Sequence, residues 1–207
     1  MNSSRVMDLQ KELLSLRISD WYDKLFSWQM AFMVIMLVLP WVIWWKIADR
    51  RRLVEIFSFG LLISVISSFF NGNGLNLLLW SYPYRLLPFS PRAYTFSLSV
   101  IPVSFMILYQ YFPKWKSFTF STTLLAAITA FILQPIFSLV GFYRLINWNY
   151  FNSFLALLSI GLMSRLVHQT VVQRAHNTVP DTSKESLSHS DSPAPAYKIM
   201  REDRDDD

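Results

Sequence analysis

The chain of 207 residues has no cysteine. Disulfides, thiolate metal sites and thiol catalysis are thereby excluded, and the redox compartment is left open. Acidic residues are missing from the middle of the chain: after Glu55 none occurs until Asp181, while Arg85, Arg92, Lys114, Lys116, Arg144, Arg165 and Arg174 fall in that interval. Paired carboxylates for acid–base chemistry are therefore absent there. Charge as a whole is scarce, 16% of residues against 53% hydrophobic. A soluble domain carries more charge than that, so membrane class is the first inference. The first 27 residues hold no apolar core and no small-residue cleavage site, so a removable secretory signal is not expected.

What is present is apolar, and it comes in runs. Five segments, Trp28–Trp45, Leu53–Phe70, Tyr94–Phe112, Phe118–Val140 and Tyr150–Val167, are each close to the ~20 helical residues that cross a hydrocarbon core. Leu75–Trp80 is apolar as well, so the second segment either stops at Phe70 or continues past Asn71-Gly72-Asn73-Gly74. Trp21, Trp28, Trp41, Trp44, Trp45, Trp80, Trp115 and Trp148 all stand at or beyond segment edges. That is the belt expected where an indole keeps its N–H wet and its ring in lipid. Ahead of the first segment, Leu14, Ile18, Trp21, Leu25 and Trp28 form a stripe at helical spacing with Val6, Leu9, Leu13 and Leu16 beside it. Lys11, Glu12, Asp20, Asp23 and Lys24 occupy the other face, which suits a helix in the headgroup region or one packed on a partner.

The expected fold is all-α: an integral membrane bundle of about five transmembrane helices over 28–170, an amphipathic interfacial helix over 1–27 and a disordered polar tail over 171–207. Ser186, Ser188, Ser190 and Ser192 are conceivable modification sites in that tail. Basic residues near segment ends set orientation. Lys46, Arg50, Arg51, Arg52, Lys114, Lys116, Arg165 and Arg174 outnumber Arg17, Lys24, Arg85, Arg92 and Arg144 on the other side. The expectation is a multi-pass protein of the cell membrane with its N-terminus outside and its C-terminus cytoplasmic. These basic residues sit at run ends and not in a polar-interleaved patch, so they read as anchors and no nucleic-acid partner is expected.

The ionisable residue inside a membrane that usually marks a functional site is missing from the span centres. His168, His176 and His189 lie at the last helix end or in the tail with no Glu or Cys at ligand spacing, so neither a metal nor a cofactor is expected. Ser164 and His168, four apart, share a helix face, but no third residue orients the imidazole. The polar candidates are uncharged. Ser64, Ser67, Ser68 and Asn71 recur at three- and four-residue spacing, with Ser97, Ser104, Gln110 and Gln134 as further partners. Such groups either bond neighbouring helices together or line a polar path, helped by carbonyls released near Pro102 and Pro135. On the exterior side, Tyr82, Tyr84, Arg85, Arg92, Tyr143, Arg144, Asn147 and Trp148 either anchor the interface or contact a lipid headgroup or other anion. A faint echo links Tyr84-Arg85-Leu86-Leu87 with Tyr143-Arg144-Leu145-Ile146, hinting at two similarly oriented hairpins.

Trp80-Ser81-Tyr82-Pro83-Tyr84 with Pro88, then Pro102-Val103, Tyr109-Gln110-Tyr111, Trp115-Lys116, Gln134-Pro135, and Tyr143 with Asn147-Trp148 resemble a family of uncharacterised small polytopic membrane proteins of spore-forming Firmicutes. The resemblance covers the middle and last thirds of the chain. It implies a multi-helix membrane protein, bacterial in origin, and supplies no activity. Where that family often has an acidic residue before the second proline this chain has Gln134, which puts a proton-linked role in doubt. The functional expectation is a non-enzymatic component that assembles with itself or with another membrane protein, with the lipid bilayer as its constant partner. The alternative is a transport or channel subunit using Ser64, Ser67, Ser68, Asn71, Gln110 and Gln134.

Overall fold

The computed structural model describes residues 2–88 and 95–178. The chain divides into two units, Met1–Gln169 and Thr170–Asp207, and the described part of the second is the end of the last helix. Among the described residues six long helices follow one another, α1 Asn2–Lys24, α2 Trp28–Ile47, α3 Leu53–Asn76, α4 Phe96–Tyr111, α5 Trp115–Leu139 and α6 Tyr150–Thr178, with a 3-10 turn at Arg50–Arg52 leading into α3. The all-α bundle expected from the sequence is what forms. Four of its helices are long and apolar enough to cross a membrane, over Trp28–Ile47, Arg50–Asn76, Trp115–Leu139 and Tyr150–Arg174. The remaining expected span is the shorter α4, roughly 24 Å at 1.5 Å per residue against a ~30 Å core. Arg92 and the tail from 179 onward lie outside the described residues, and α6 carries the helix to Thr178, beyond the start expected for that tail.

The open question at Asn71-Gly72-Asn73-Gly74 resolves in favour of continuation: α3 runs through all four to Asn76. Asn71 and Asn73 return their side-chain amides to the carbonyls of Ser67 and Phe69, at 3.1 and 2.8 Å, so they stay in the helix and do not start a turn. Gly74 has a packing reason, because the Trp80 indole lies against its backbone where a Cβ would stand.

Helices α3 and α5 end alike. Leu79 N–H bonds Gly74 O and Leu78 N–H bonds Leu75 O; Phe142 N–H bonds Phe137 O and Gly141 N–H bonds Ser138 O. Both are Schellman endings, with Leu78 at φ 53° and Gly141 at φ 82° in the left-handed position. Each then enters a two-residue strand, β1 Trp80–Ser81 and β2 Arg144–Leu145, which pair antiparallel with Trp80 opposite Leu145. The two outward turns are thus related, but Leu78 matches Gly141, out of register with the Tyr84/Tyr143 echo in the sequence.

In lipid, apolar burial between helices gives no net drive, so dispersion and interhelical hydrogen bonds must hold the bundle. The packed centre is Ile56, Phe59 and Ile63 of α3, Val103, Phe105 and Met106 of α4, Phe118 of α5 and Ile160 of α6, with Trp44 of α2. Helix α1 joins this body near its C-terminal end, where Trp21 Nε1 donates to Leu86 O at 3.0 Å. Its stripe of Val6, Leu9, Leu13 and Leu16 is exposed.

The tryptophan belt needs correction. Trp28, Trp45 and Trp115 are exposed, but Trp44 and Trp80 are 1% and 3% exposed, inside the bundle. Position along a helix sets depth in the bilayer, not direction around the helix, so a run-edge tryptophan is free to turn inward.

Candidate functional site

Pro102 and Pro135 shape the candidate site. A helical proline lacks an N–H and clashes with the carbonyl four residues back. In both helices the backbone relieves this by widening into a π turn just before the proline, over Phe96–Val100 in α4 and Thr129–Leu133 in α5. Carbonyls released there are taken up by neighbours. Trp41 Nε1 donates to Leu98 O at 3.0 Å, Ser67 Oγ to Ser97 O at 3.3 Å, and Ser104 Oγ to Val100 O at 2.8 Å.

The two π turns face a cavity of about 150 Å³ among α3, α4, α5, α6 and the β1 strand, toward the end of the bundle expected outside. Its walls are largely aromatic: Phe70, Trp80, Tyr82, Phe96, Phe105, Phe137, Tyr143 and Trp148. Its polar lining is Ser67, Asn71, Ser104, Thr129, Gln134 and Ser153, and no Asp, Glu, Lys, Arg or His contributes. Four of the uncharged polar candidates singled out in the sequence, Ser67, Asn71, Ser104 and Gln134, thus converge on one space.

Most of that polarity is already bonded. Asn71 Nδ2 donates to Ser97 Oγ at 2.9 Å, and Asn71 Oδ1 accepts from the Tyr82 hydroxyl at 3.3 Å. Trp148 Nε1 donates to Ser153 Oγ at 3.0 Å. Burial above all, with Tyr143 beside Tyr82 and Tyr150 beside Tyr143, pushes the Tyr82 and Tyr143 hydroxyls far above the ordinary phenol range, against a smaller lowering of Tyr143 by its Ser153 hydrogen bond, so both stay neutral. Two lining groups differ: Gln134 Oε1, an acceptor, and Trp80 Nε1, a donor, are buried and have no hydrogen-bond partner among the described residues. A buried amide oxygen left open costs the desolvation of that group.

The other sequence candidates are placed elsewhere. Ser64 is buried in α3, its carbonyl sharing the single Ser67 hydroxyl proton with Ser97 O, and the Ser68 hydroxyl is buried without a partner among the described residues. Gln110 stands at the opposite end of α4, donating to Ile47 O at 2.8 Å and accepting from Asp49 N–H at 3.2 Å. It therefore caps the end of α2, and the buried layer of Phe59, Ile63, Met106 and Phe118 lies between it and the cavity. Arg85 is 5% exposed, so it sits inside and not where a headgroup would meet it. Tyr84 packs on Phe142 beneath the Lys24 ammonium, and Arg144 is exposed on β2.

That opposite end also holds a cluster that the sequence reading missed. The Arg52 guanidinium grips Glu55 through Nε and Nη2, both at 2.9 Å. The Tyr109 hydroxyl donates to Glu55 Oε1 at 2.7 Å and lies 3.4 Å from His168 Nδ1, while His168 Nε2 is 2.8 Å from Ser58 Oγ. Ser58 donates its own proton to Glu55 O, so its oxygen accepts from His168 Nε2–H. The imidazole is thus oriented from α3 and α4, and its serine is Ser58, not Ser164, whose hydroxyl is buried without a partner among the described residues. One turn before His168, Arg165 is 1% exposed. Its Nη1 donates to Phe112 O at 3.1 Å and Nη2 to Pro113 O, while its plane lies 4.3 Å from the Phe118 centroid and 4.9 Å from that of Trp115. The available signal was Glu55 itself, the last acid before a long acid-free stretch. Among the described residues no group of three or more His, Cys, Asp or Glu could hold a metal ion. Set against family models, curated proteins and solved structures, the chain matches none.

Proposed function

We propose that the protein is a non-enzymatic, multi-pass component of the cell membrane that acts by holding a small neutral molecule in the aromatic cavity. One observation carries this reading: the two proline-driven π turns, the Asn71 network and Gln134 converge on a single space with aromatic walls and no formal charge. Ligand sites are concave, mostly apolar and furnished with a few placed polar groups, and π turns cluster at functional positions. With the N-terminus outside, the cavity belongs to the exterior half of the bilayer. A transport role needs the cavity joined to the Gln110 end; the apolar layer between them favours holding over passing.

The test uses a neutral apolar probe. An apolar cavity near 150 Å³ takes benzene, so toluene should raise the melting temperature of the purified protein in detergent. Ala156→Phe, which fills the lining, should abolish the shift. No stabilisation of the wild type by saturating toluene or phenol defeats the reading.

Assembly with itself or with another membrane protein has its own support in the exposed α1 stripe of Val6, Leu9, Leu13 and Leu16. Because the chain has no cysteine, Leu13→Cys places a single thiol there. Disulfide-linked dimers formed in membranes support self-assembly through α1; monomer at every oxidant level argues against it.

A further inference from the structure

The cavity also says what kind of neutral molecule it takes. We infer that Gln134 Oε1 is the recognition point for a ligand hydroxyl, so that the ligand presents a neutral, phenol-like head: a ring of benzene size carrying one hydrogen-bond donor. This rests on the reading of the cavity as a binding site and adds the chemistry of its occupant.

Three observations carry it. Size comes first: the cavity holds about 150 Å³, the range in which an apolar cavity accepts benzene, so a ring fits. Shape comes next. Aromatic walls from Phe96, Phe105, Phe137 and Trp148 offer the faces and edges against which another ring stacks. The third is the unmatched acceptor. The amides and hydroxyls of Asn71, Ser67, Tyr82 and Ser104 are engaged with one another or with backbone carbonyls, whereas Gln134 Oε1 is buried and open among the described residues. An ordered water needs two to four polar partners, and Asn71, Ser67, Tyr82 and Ser104 are already committed to other groups. A hydroxyl on a ring satisfies the oxygen while its carbon frame satisfies the walls.

The ligand is neutral for the same reason. No charged side chain lines the space, and a charge placed there without a counter-charge bears the full cost of desolvation.

The experiment compares phenol with toluene, which share a frame and differ in the donor, by thermal shift and by quenching of tryptophan emission, since Trp80 and Trp148 line the cavity. Both probes are titrated against the wild type and against Gln134→Met, and affinities are expressed as the phenol-to-toluene ratio within each protein, so that partition into detergent cancels. The wild type should favour phenol by on the order of fivefold relative to Gln134→Met, the worth of one hydrogen bond. Equal ratios in the two proteins, with toluene still bound, overturn the inference and leave the cavity reading standing. Binding of neither probe to the wild type overturns the cavity reading. Should Gln134→Met fail to fold, anisole replaces the variant: it keeps the oxygen but lacks the donor, and anisole bound as tightly as phenol by the wild type likewise overturns the inference.

Discussion

At one end of the bundle Arg165 and His168 are buried and Glu55 is half-buried beside them, and each meets partners from another helix or loop. At the other end, around Gln134, the lining is neutral and one acceptor is left open. The contrast follows from the cost of burial. A charge withdrawn from water is tolerated only when it is bonded, so the charged end has to be closed and structural. A neutral amide oxygen costs far less to leave open, and only such a site can wait for a ligand.

If that division is right, substitutions at the closed end hurt folding and those at the open end hurt binding. The largest effect belongs to Arg165→Ala, which strips the Phe112 and Pro113 carbonyls of their donor and the rings of Tyr109, Trp115 and Phe118 of their cation. It should cost about 3 kcal/mol, read as a fall in melting temperature. Arg165→Lys should recover little of this, because an ammonium has no planar fork for the Phe112 and Pro113 carbonyls. Gly74→Val comes next, at about 2 kcal/mol, since its side chain would occupy the place of the Trp80 indole; Trp80 emission should shift with it. Glu55→Gln should cost about 1 kcal/mol, because the Arg52 pair is partly exposed and screened while the Tyr109 hydroxyl keeps an acceptor. Leu78→Gly should gain up to about 1 kcal/mol by relieving a left-handed leucine. Smallest of all, phenol binding should be flat between about pH 6 and pH 9, since the titratable residues in the lining, Tyr82 and Tyr143, have hydroxyls pushed further above their ordinary value of about 10. A pH-dependent affinity would show that a charge reaches the cavity.

Much of the fold was legible in the sequence because bilayer thickness translates directly into run length. The five apolar runs are read that way, while the amphipathic helix ahead of them and the grouping of Ser67 with Asn71 on one face of α3 are read from helical spacing. The site was legible in part. Pro102 and Pro135 announced broken hydrogen bonding, but a proline alone does not say whether a helix kinks, stops or widens. Gln110 looked equivalent to Gln134 because both are lone amides in apolar runs. Only their distance along the bundle separates a cap on α2 from an open acceptor in a cavity.

The sequence by itself determined the solvent. Scarce charge, an acid-free middle and apolar runs of membrane length admit helices in lipid, because unsatisfied backbone in a bilayer costs too much for anything but helices or closed barrels. The tertiary structure alone decided direction around each helix axis: that Trp44 and Trp80 turn inward, that His168 meets Ser58 across the bundle and not Ser164 on its own helix, and that Gln134 opens into a space shared with Asn71 and Ser67. Hydropathy sums over a helix and so fixes its depth. Which face meets which neighbour depends on packing between elements far apart in the chain, which no local window contains.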